Sequence, residues 1–575
     1  MGVYLHSKKP FLLFQEMASS TYFVDKSGII KDLIPLIDHT VPAPGETLTE
    51  RGKEHKYICI TRPRRFGKTV MANMIASYFG KGSDSLCVFE NLAISSCSWF
   101  RKHLNQHNVI HIMLNEMPDE CTTYAQYISR IKRRLLNDLI QNFPEAGIDA
   151  DDSLWDSLNR IIEFGNGEKF IFVLDEWDFI FHRRFVTSED QASYIDFLSN
   201  LLKDQPYVEL VYMTGILPIA KYSSGSELNM FFEYTMVSKE KYSDYFGFTQ
   251  EETDLLYQRY LSLEKKRNVS REGLALWYNG YQTMTGKKLY NPRSVVGALS
   301  DNQLGSYWTS SGPYDEIFYY IKANTDAVRD DLALMIAGTS VPANVQEYAA
   351  TSMNLTTRDE IFSAMVVYGF LSYEDGYVSI PNKELMDRFA DMIRKEASLG
   401  YVHRLATESA RMLSATKSMD TDTMEEILEY AHNTESPLLN YSNEAELASV
   451  VRLVYLSARD SYYVEQEDKT GTGYVDFIFY PVRKNDDCII LELKVNHTAE
   501  EVVRQIKERK YALRFQGKLG EQPRYTGRIL AVGIAYFKKN KKHDCKVEVL
   551  RSADTGKERQ IHLIGGRRDA DRSPM

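Results

Sequence analysis

Short apolar runs alternate with segments of helical periodicity in the first part of the chain. The runs "KYICI", "VIHIML", "KFIFVLDEWDFIF" and "VELVYMTGI" are β-prone, and they begin at residues 56, 109, 169 and 208. Segments between them, such as "YAQYISRIKRRLLNDLI", carry apolar residues at helical spacing. Strands alternating with helices predict a parallel sheet with helices on both faces. We therefore expect an α/β domain over residues 1–250.

The pattern changes twice further along the chain. Residues 251–438 are mainly of helical character and contain a candidate hairpin, "GFLSYEDGYVSIPN", whose Asp375-Gly376 pair is a turn signal. Residues 439–550 predict helix, strand, strand, helix and strand, which is a second α/β domain, and residues 551–575 predict a disordered tail. A chain of 575 residues exceeds the roughly 250–300 residues that one core supports, so two or three domains are expected from its length.

The composition is typical of a globular protein and does not indicate an activity. Hydrophobic residues make up 43% and charged residues 26% of the chain, as in a globular protein. The net charge of −10 gives no overall attraction to nucleic acid, so such a partner would need a local basic patch. Six scattered cysteines show no zinc spacing, and no apolar run suits a leader or a membrane span. These features predict a cytoplasmic protein without a membrane partner.

The segment "ITRPRRFGKTV", which begins at residue 60, ends like a phosphate-binding loop. Gly67, Lys68 and Thr69 stand where a predicted strand turns into a helix, so backbone N–H groups, an ammonium and a hydroxyl would face phosphate and Mg²⁺. The usual pattern has a glycine five residues before Gly67, where this chain has Arg62. From this segment alone, an ordinary capped helix is an equally good interpretation.

A second segment, "FIFVLDEWD", strengthens the prediction of a nucleotide site. An apolar strand ends there in Asp175, which suits the magnesium shell, and Glu176, which suits the orientation of a water against the γ-phosphate. Thr214 closes the next predicted strand. It would be either a polar sensor beside the γ-phosphate or a hydroxyl with an ordinary structural partner.

Five segments in this order, "FVDKSGIIKDLI", "ITRPRRFGKTV", "FVLDEWD", "MTGI" and "YFGFTQEE", resemble the AAA-ATPase-like family, in which an Arg-Pro-Arg-Arg-Phe-Gly-Lys loop replaces the ordinary one. The resemblance implies a P-loop NTPase-type fold that binds ATP and Mg²⁺. Trp177 stands where the family commonly has tyrosine, and "ILPIAK" lacks an expected arginine, so no arginine finger is identified. The ATP-binding residues it implies are Arg62, Pro63, Arg64, Arg65, Phe66, Gly67, Lys68, Thr69, Asp175 and Thr214, with Thr69 and Asp175 at the metal.

The arginines of this loop allow two interpretations. Arg64 and Arg65, like Arg62, would add charge-assisted contacts to the phosphates, or they would form a solvated basic loop.

A third constellation lies in "GTGYVDFIFYPVRKNDDCIILELKV". Asp476 opens one predicted strand, and Glu492 and Lys494 share one side of the next, so a hairpin would bring the three together. Two carboxylates and a lysine suit Mg²⁺ and an activated water, although a surface ladder of ion pairs gives the same pattern. Glu444 lies in the first turn of a preceding amphipathic helix that would lean over this sheet.

The following helix, "AEEVVRQIKERKYALRF", is rich in basic residues. Such a helix suits a phosphodiester backbone, or it is a solvated charged face.

Together these residues resemble the PD-(D/E)xK nuclease superfamily, with a departure at Tyr474, where related sequences tend to have arginine. The resemblance implies a restriction-endonuclease-like domain whose catalytic residues are Asp476, Glu492 and Lys494. It implies Glu444, Asp476 and Glu492 as metal ligands, and we expect Gln505, Lys510 and Tyr511 to contact nucleic acid.

These observations predict a protein that binds and hydrolyses ATP and whose nuclease-like domain cuts nucleic acid under the control of ATP. The expected cofactors are ATP and Mg²⁺, with Mn²⁺ also suited to the nuclease-like site. The expected partner is nucleic acid, with DNA favoured, and a homo-oligomer stays open. The alternative is a nucleotide-dependent switch whose last domain binds nucleic acid or another partner without cutting.

Overall fold

The computed structural model describes residues 2–38, 56–118, 121–164, 167–183, 185–219, 227–308, 321, 324–345, 355, 357–432, 444–465, 475–509, 512, 515 and 525–551. Tyr474, Lys510, Tyr511 and nearly all of the predicted tail lie outside these ranges. The chain divides into two compact units, residues 1–321 with 342–386 and residues 322–341 with 387–575. The predicted middle segment, residues 251–438, is shared between these units, and the three-domain boundaries stay a prediction.

A parallel sheet of five strands forms the centre of the first unit, as the alternation of strands and helices predicts. Its order is β2-β3-β4-β1-β5, and every described strand pair in it is parallel. β1 and β3 are buried along their whole length, which explains their uninterrupted apolar sequences. The strands are β1 (Tyr57–Thr61), β2 (Asn108–Met113), β3 (Phe170–Asp175), β4 (Val208–Gly215) and β5 (Phe232–Tyr234).

Several helices of the first unit begin at side-chain caps. The Thr187 hydroxyl accepts from the backbone N–H of Asp190 in a capping box, and Thr249 does the same with Glu252. The helices up to residue 300 are α1 (Lys9–Ala18), α2 (Gly28–Ile37), α3 (Lys68–Phe79), α4 (Leu86–Phe89), α5 (Phe100–His103), α6 (Tyr124–Asn142), α7 (Leu154–Phe164), α8 (Ser188–Leu202), α9 (Gln250–Leu263), α10 (Arg271–Tyr278) and α11 (Pro292–Ser300).

Short hairpins interrupt the helical segment that follows the sheet. The predicted turn at Asp375 and Gly376 is confirmed, because both residues have positive φ angles of 47° and 87° and join two antiparallel strands. The strands are β6 (Tyr281–Gln282), β7 (Lys288–Leu289), β8 (Val341–Pro342), β9 (Ser372–Glu374) and β10 (Tyr377–Ser379); the helices are α12 (Thr325–Ile336), α13 (Arg358–Tyr368) and α14 (Lys383–Lys395).

The second unit contains a mixed sheet of five strands in sequential order. β13 and β14 are parallel, and the other neighbours are antiparallel. The strands are β11 (Tyr462–Glu465), β12 (Phe477–Pro481), β13 (Cys488–Val495), β14 (Ile529–Phe537) and β15 (Lys542–Arg551); the helices are α15 (Tyr401–Ser418), α16 (Thr421–His432), α17 (Glu444–Val454) and α18 (Ala499–Glu508). Among the residues described, no helix combines the length and apolarity needed to cross a membrane.

Candidate nucleotide and nuclease sites

Strand order brings the predicted nucleotide-binding residues to one edge of the first sheet. β4 lies between β1 and β3, and Thr214 of β4 is level with Ile60 of β1. The carboxyl ends of these parallel strands therefore carry the glycine-lysine loop, Thr214 and Asp175 side by side. Ligands of open parallel sheets bind at this edge.

Lys68 is buried at the start of α3, directly after Gly67, whose φ of +92° favours glycine. Its ammonium donates hydrogen bonds of 2.9 Å to the carbonyl oxygens of Arg62 and Pro63. Burial lowers the pKa of Lys68 to about 8, while the carboxylates of Asp178, Glu176 and Asp175 oppose that shift. The ammonium is thus held against its own loop, where a phosphate would offer it stronger acceptors.

Arg62 has a buried side chain that is directed into the fold. Its guanidinium donates to the carbonyl oxygens of Thr61 and Tyr234 at 2.7 Å and lies 5.1 Å from the ring centre of Phe246. These contacts join the end of β1 to β5 and account for an arginine where the usual loop has glycine. The predicted phosphate contacts are then left to Arg64, which is half-buried, and Arg65, which is exposed.

Pro63 and Phe66 pack instead of pointing at the sheet edge. The ring of Phe66 meets that of Tyr281 edge-on at 5.0 Å, and its carbonyl accepts from the N–H of Gly247. A side chain at Gly369 would come within 2.6 Å of Pro63. Pro63 and Phe66 therefore anchor the predicted phosphate loop by packing against other parts of the first unit.

Asp175 presents a buried carboxylate at the end of β3. The hydroxyl of Thr214 donates to its Oδ1, while Oδ2 is buried without a well-formed hydrogen bond. Burial raises the pKa of Asp175, against the hydrogen bonds of Thr214 and Thr69 and the charge of Lys68. A buried carboxylate beside the hydroxyls of Thr214 and Thr69 fits a hard divalent cation.

Glu176 adopts a strained backbone conformation next to this carboxylate. Its φ is +54°, a left-handed conformation that carries an energetic cost for a residue with a side chain. Burial and the charge of Asp175 raise the pKa of Glu176. The strained turn leaves Glu176 at the predicted nucleotide edge, while the next residue, Trp177, is buried in the core.

Asp178 is a functional candidate that the sequence reasoning missed. Its Oδ2 accepts from the backbone N–H groups of Ile216 and Leu217 at 3.1 and 3.0 Å. Burial opposes its ionisation, but the nearby imidazole of His182, 3.8 Å away, and the N–H of Leu217 prevail, and the pKa of Asp178 is lowered. Asp178 thus fixes the segment after Thr214, and the second aspartate of "DEWD" was the available signal.

Trp177 closes the same region by close packing. Its indole N–H donates to the carbonyl of Leu217 at 3.0 Å, and a Cβ at Gly215 would lie 2.4 Å from its ring. The tryptophan at position 177, where the family commonly has tyrosine, therefore requires the glycine at position 215, at the end of β4.

The second site lies where β12 and β13 pair in the second unit. Glu492 and Lys494 point to the same side of β13, and Asp476, just before β12, accepts from the backbone N–H of Leu493 at 2.8 Å. The hairpin thus brings Asp476 beside Glu492 and Lys494, as the spacing predicts.

Glu492 is the most buried member of this site. The amide of Gln505 donates to its Oε1 at 2.9 Å, and its Oε2 is buried without a hydrogen-bond partner. Burial and the charge of Asp476 raise the pKa of Glu492 to about 7, against the charges of Lys494 and Arg509. An orphaned carboxylate oxygen beside a second carboxylate fits a divalent cation.

Lys494 links Glu492 to the helix that precedes the sheet. Its ammonium lies 3.7 Å from Glu492 Oε1 and 3.4 Å from Glu444 Oε1. The described residues contain no group of three His, Cys, Asp or Glu side chains placed to hold one metal ion. The three predicted metal ligands are thus not gathered into one such group, and the ammonium stands between Glu444 and Glu492.

In the structure, the side chain of Gln505 contacts a partner other than the one that the sequence predicts. The sequence predicts a contact with nucleic acid, but the amide is engaged with Glu492. The close approach of α18 to the sheet makes this contact possible, because a Cβ at Gly533, which is level with Glu492, would lie 2.6 Å from the carbonyl of Ala499. The other two predicted contacts, Lys510 and Tyr511, lie outside the described residues.

One curated relative shares part of its length with this chain. An uncharacterized protein in the vnfD 5'region of Azotobacter chroococcum mcd 1 is 25% identical over 301 residues, which are 51% of this chain and 51% of that protein. The match therefore spans about half of each protein.

Two solved structures overlap more than half of this chain. A Walker-type ATPase of Pyrococcus abyssi has a TM-score of 0.35 at 11% identity and covers 58% of this chain and 91% of its own. The ORC2 protein of Aeropyrum pernix, in ADPNP–ADP complexes, has a TM-score of 0.30 at 11% identity and covers 64% and 92%.

Family models match both regions that carry the candidate sites. Residues 47–224 match the model described as a predicted AAA-ATPase, and residues 442–543 match that of the PD-(D/E)XK nuclease superfamily. Both resemblances are confirmed. The chain therefore carries an AAA-ATPase-like domain within residues 47–224 and a PD-(D/E)XK nuclease superfamily domain within residues 442–543.

Proposed function

We propose that this protein hydrolyses ATP and that its nucleotide state controls metal-dependent cleavage of nucleic acid, with DNA as the expected substrate. The observation that supports nucleic-acid cleavage is the buried Oε2 of Glu492, which has no hydrogen-bond partner and lies beside Asp476 and Lys494. A buried carboxylate of this kind is costly unless a cation compensates for it. The presence of an AAA-ATPase-like domain on the same chain motivates the control by ATP.

In the nucleotide site, the chain supplies phosphate and cation contacts. The backbone at Gly67 to Thr69 and the ammonium of Lys68 would bind the phosphates, with Lys68 exchanging the loop carbonyls for phosphate oxygens. Thr69 and Asp175 would hold a divalent cation, for which we propose Mg²⁺. Glu176 would orient the attacking water.

In the nuclease site, each residue has a separate task. A bound divalent cation, Mg²⁺ or Mn²⁺, would neutralise charge on the scissile phosphodiester and lower the pKa of a water. Asp476 and Glu492 would hold that cation, and Gln505 would fix the orientation of Glu492. Lys494 would position the attacking water beside them, while Glu444 holds the ammonium of Lys494 from the other side.

The second candidate is a nucleotide-dependent switch that binds nucleic acid without cutting it. One observation favours it: within the described ranges, no three metal-binding side chains form a group around Glu492. Such a protein would keep the charged surface of the superfamily domain but would lack the cation needed for chemistry.

Cleavage assays on the full chain separate these candidates. Purified protein is incubated with linear DNA, circular DNA and RNA, in Mg²⁺, in Mn²⁺ or in EDTA, beside Lys494→Ala and Lys494→Arg variants. The proposal expects cation-dependent cleavage that Lys494→Ala reduces at least about 100-fold. Absence of cleavage with every substrate and cation, while ATP turnover persists, would favour the switch.

A further inference from the structure

A cluster of basic residues lies at the tip of the hairpin between β14 and β15. Residues 538–541 form the turn, with the sequence Lys-Lys-Asn-Lys, and Lys542 begins β15. All five residues are exposed. The Asn540 side chain accepts from the N–H of Lys542 at 3.3 Å, which holds the turn together. We call Lys538, Lys539, Lys541 and Lys542 the tip lysines.

The tip lysines differ from the lysines on the body of the hairpin. Lys546 lies 3.4 Å from Glu500 and 3.3 Å from Glu548, and Lys507 of α18 also pairs with Glu548. No tip lysine has a carboxylate partner within 4.0 Å in the part of the chain that the structure describes. In a chain with a net charge of −10, the tip is a local concentration of uncompensated positive charge, which is the electrostatic signature of a nucleic-acid contact.

The register of the sheet places this tip beside the candidate nuclease site. β13 and β14 run parallel, with Lys494 level with Ala535, so both strands end on the same side. Asn496 ties the two ends together, because its N–H donates to Tyr536 at 2.8 Å and its side chain accepts from the N–H of Lys538 at 3.1 Å. Lys538 comes three positions after Ala535, which corresponds to a rise of about 10 Å.

We propose that the tip lysines bind the phosphate backbone of the nucleic-acid strand that reaches Lys494 and Glu492. A rise of about 10 Å corresponds to about three phosphates along one strand of a duplex. A strand with one phosphodiester at Lys494 therefore carries further phosphates to the tip. Such contacts carry no sequence information and fix the position of the strand. This inference rests on the proposed function, since it assigns the path of its substrate.

The test measures binding apart from cleavage. Full-length protein is titrated with a fluorescent DNA duplex in EDTA at several salt concentrations, and the Lys538→Gln/Lys539→Gln double variant is compared with Lys265→Gln/Lys266→Gln. The control pair is exposed in the first unit and changes the net charge equally. The tip variant should bind about tenfold more weakly, and its slope of log affinity against log salt should fall by about two, near 0.9 per lost contact. Lys538→Arg/Lys539→Arg should bind like wild type.

Three results would overturn the inference: no measurable binding of DNA by wild type, equal losses in the tip and control variants, or a tip variant that binds like wild type. A cleavage assay of the wild-type protein in Mg²⁺, run beside the titrations, separates this inference from the proposed function. Tip-dependent binding without cleavage by wild type would refute only the proposed cleavage, whereas cleavage with tip-independent binding would refute only the inference.

Discussion

The side-chain amide of Gln505 donates a hydrogen bond of 2.9 Å to Oε1 of Glu492. The bond reaches from α18 to β13 and leaves the second carboxylate oxygen, Oε2, buried and without a partner. One residue of the basic helix thus orients the proposed metal ligand. The amide of Gln505 contacts the Glu492 carboxylate, so we assign Gln505 the role of positioning Glu492. A contact between Gln505 and the substrate stays a prediction.

Removal of this amide should impair cleavage without affecting the ATPase. Gln505→Ala frees the Glu492 carboxylate to rotate, so we expect a cleavage rate reduced about 10- to 100-fold, the usual effect of losing a partner that orients a metal ligand. The concentration of Mg²⁺ needed for half-maximal rate should rise in the same assay. Arg504→Ala is the matched control, because Arg504 is exposed on the same helix. Equal effects of the two substitutions would contradict the positioning role.

Cleavage should depend on the ionisation of Glu492. Burial and the charge of Asp476 raise the pKa of Glu492 to about 7, and only the ionised carboxylate binds a cation well. The rate at low Mg²⁺ should therefore rise as pH increases through about 7 and level off above it. Saturating Mg²⁺ should move this midpoint to lower pH, because the cation stabilises the charged form. A pH–rate profile that is flat from about two pH units below this midpoint to about one unit above it would contradict this assignment.

Thr214 offers a test of the nucleotide site. Its hydroxyl donates to Asp175 Oδ1, so Thr214→Val removes the donor at nearly constant volume and leaves that buried oxygen without its partner. We expect ATP turnover to fall at least about tenfold, and Thr214→Ser to restore most of it. Steady-state hydrolysis and ATP binding are measured separately. Full turnover in Thr214→Val would show that the hydroxyl has only a structural partner.

The arginines of the loop should divide into two classes. Arg62→Ala leaves the buried Tyr234 carbonyl without its charged donor and opens space beside Phe246. The free energy of unfolding should therefore fall by about 2–4 kcal/mol, and the melting temperature should fall with it. Arg65→Ala removes an exposed side chain and should leave the melting temperature unchanged while weakening ATP binding. Thermal unfolding with and without ATP distinguishes the two effects. An Arg62→Ala protein as stable as wild type would refute the structural role.

The sequence predicts most of the first sheet because buried parallel strands have an unambiguous apolar pattern. β1 to β4 all lie within the predicted runs or overlap them closely, and the hairpin at Asp375 follows from its turn chemistry. The edge strand β5, of three residues, is too short to show a period. The burial of Arg62 was not predictable, since arginine is rarely buried and its acceptor, Tyr234, lies 172 residues away.

The nuclease site shows the same division between local and long-range information. Strand alternation predicts that Glu492 and Lys494 share a side, because it depends only on neighbouring residues. The Gln505 contact depends on the approach of α18 permitted by Gly533, and the tip lysines lie at the same end of the sheet as Lys494 only because β13 and β14 pair in parallel. Pairings of this kind are set by tertiary structure.

The most direct test of the account measures DNA cleavage in Mg²⁺ with ATP, with ADP and without nucleotide, for wild type, Lys68→Ala and Lys494→Ala. The account predicts cleavage that changes with nucleotide in wild type, does not change with nucleotide in Lys68→Ala, and is lost in Lys494→Ala, which still hydrolyses ATP. Cleavage by wild type at one rate under all three nucleotide conditions would contradict the control by ATP, and full cleavage by Lys494→Ala would contradict the assigned site.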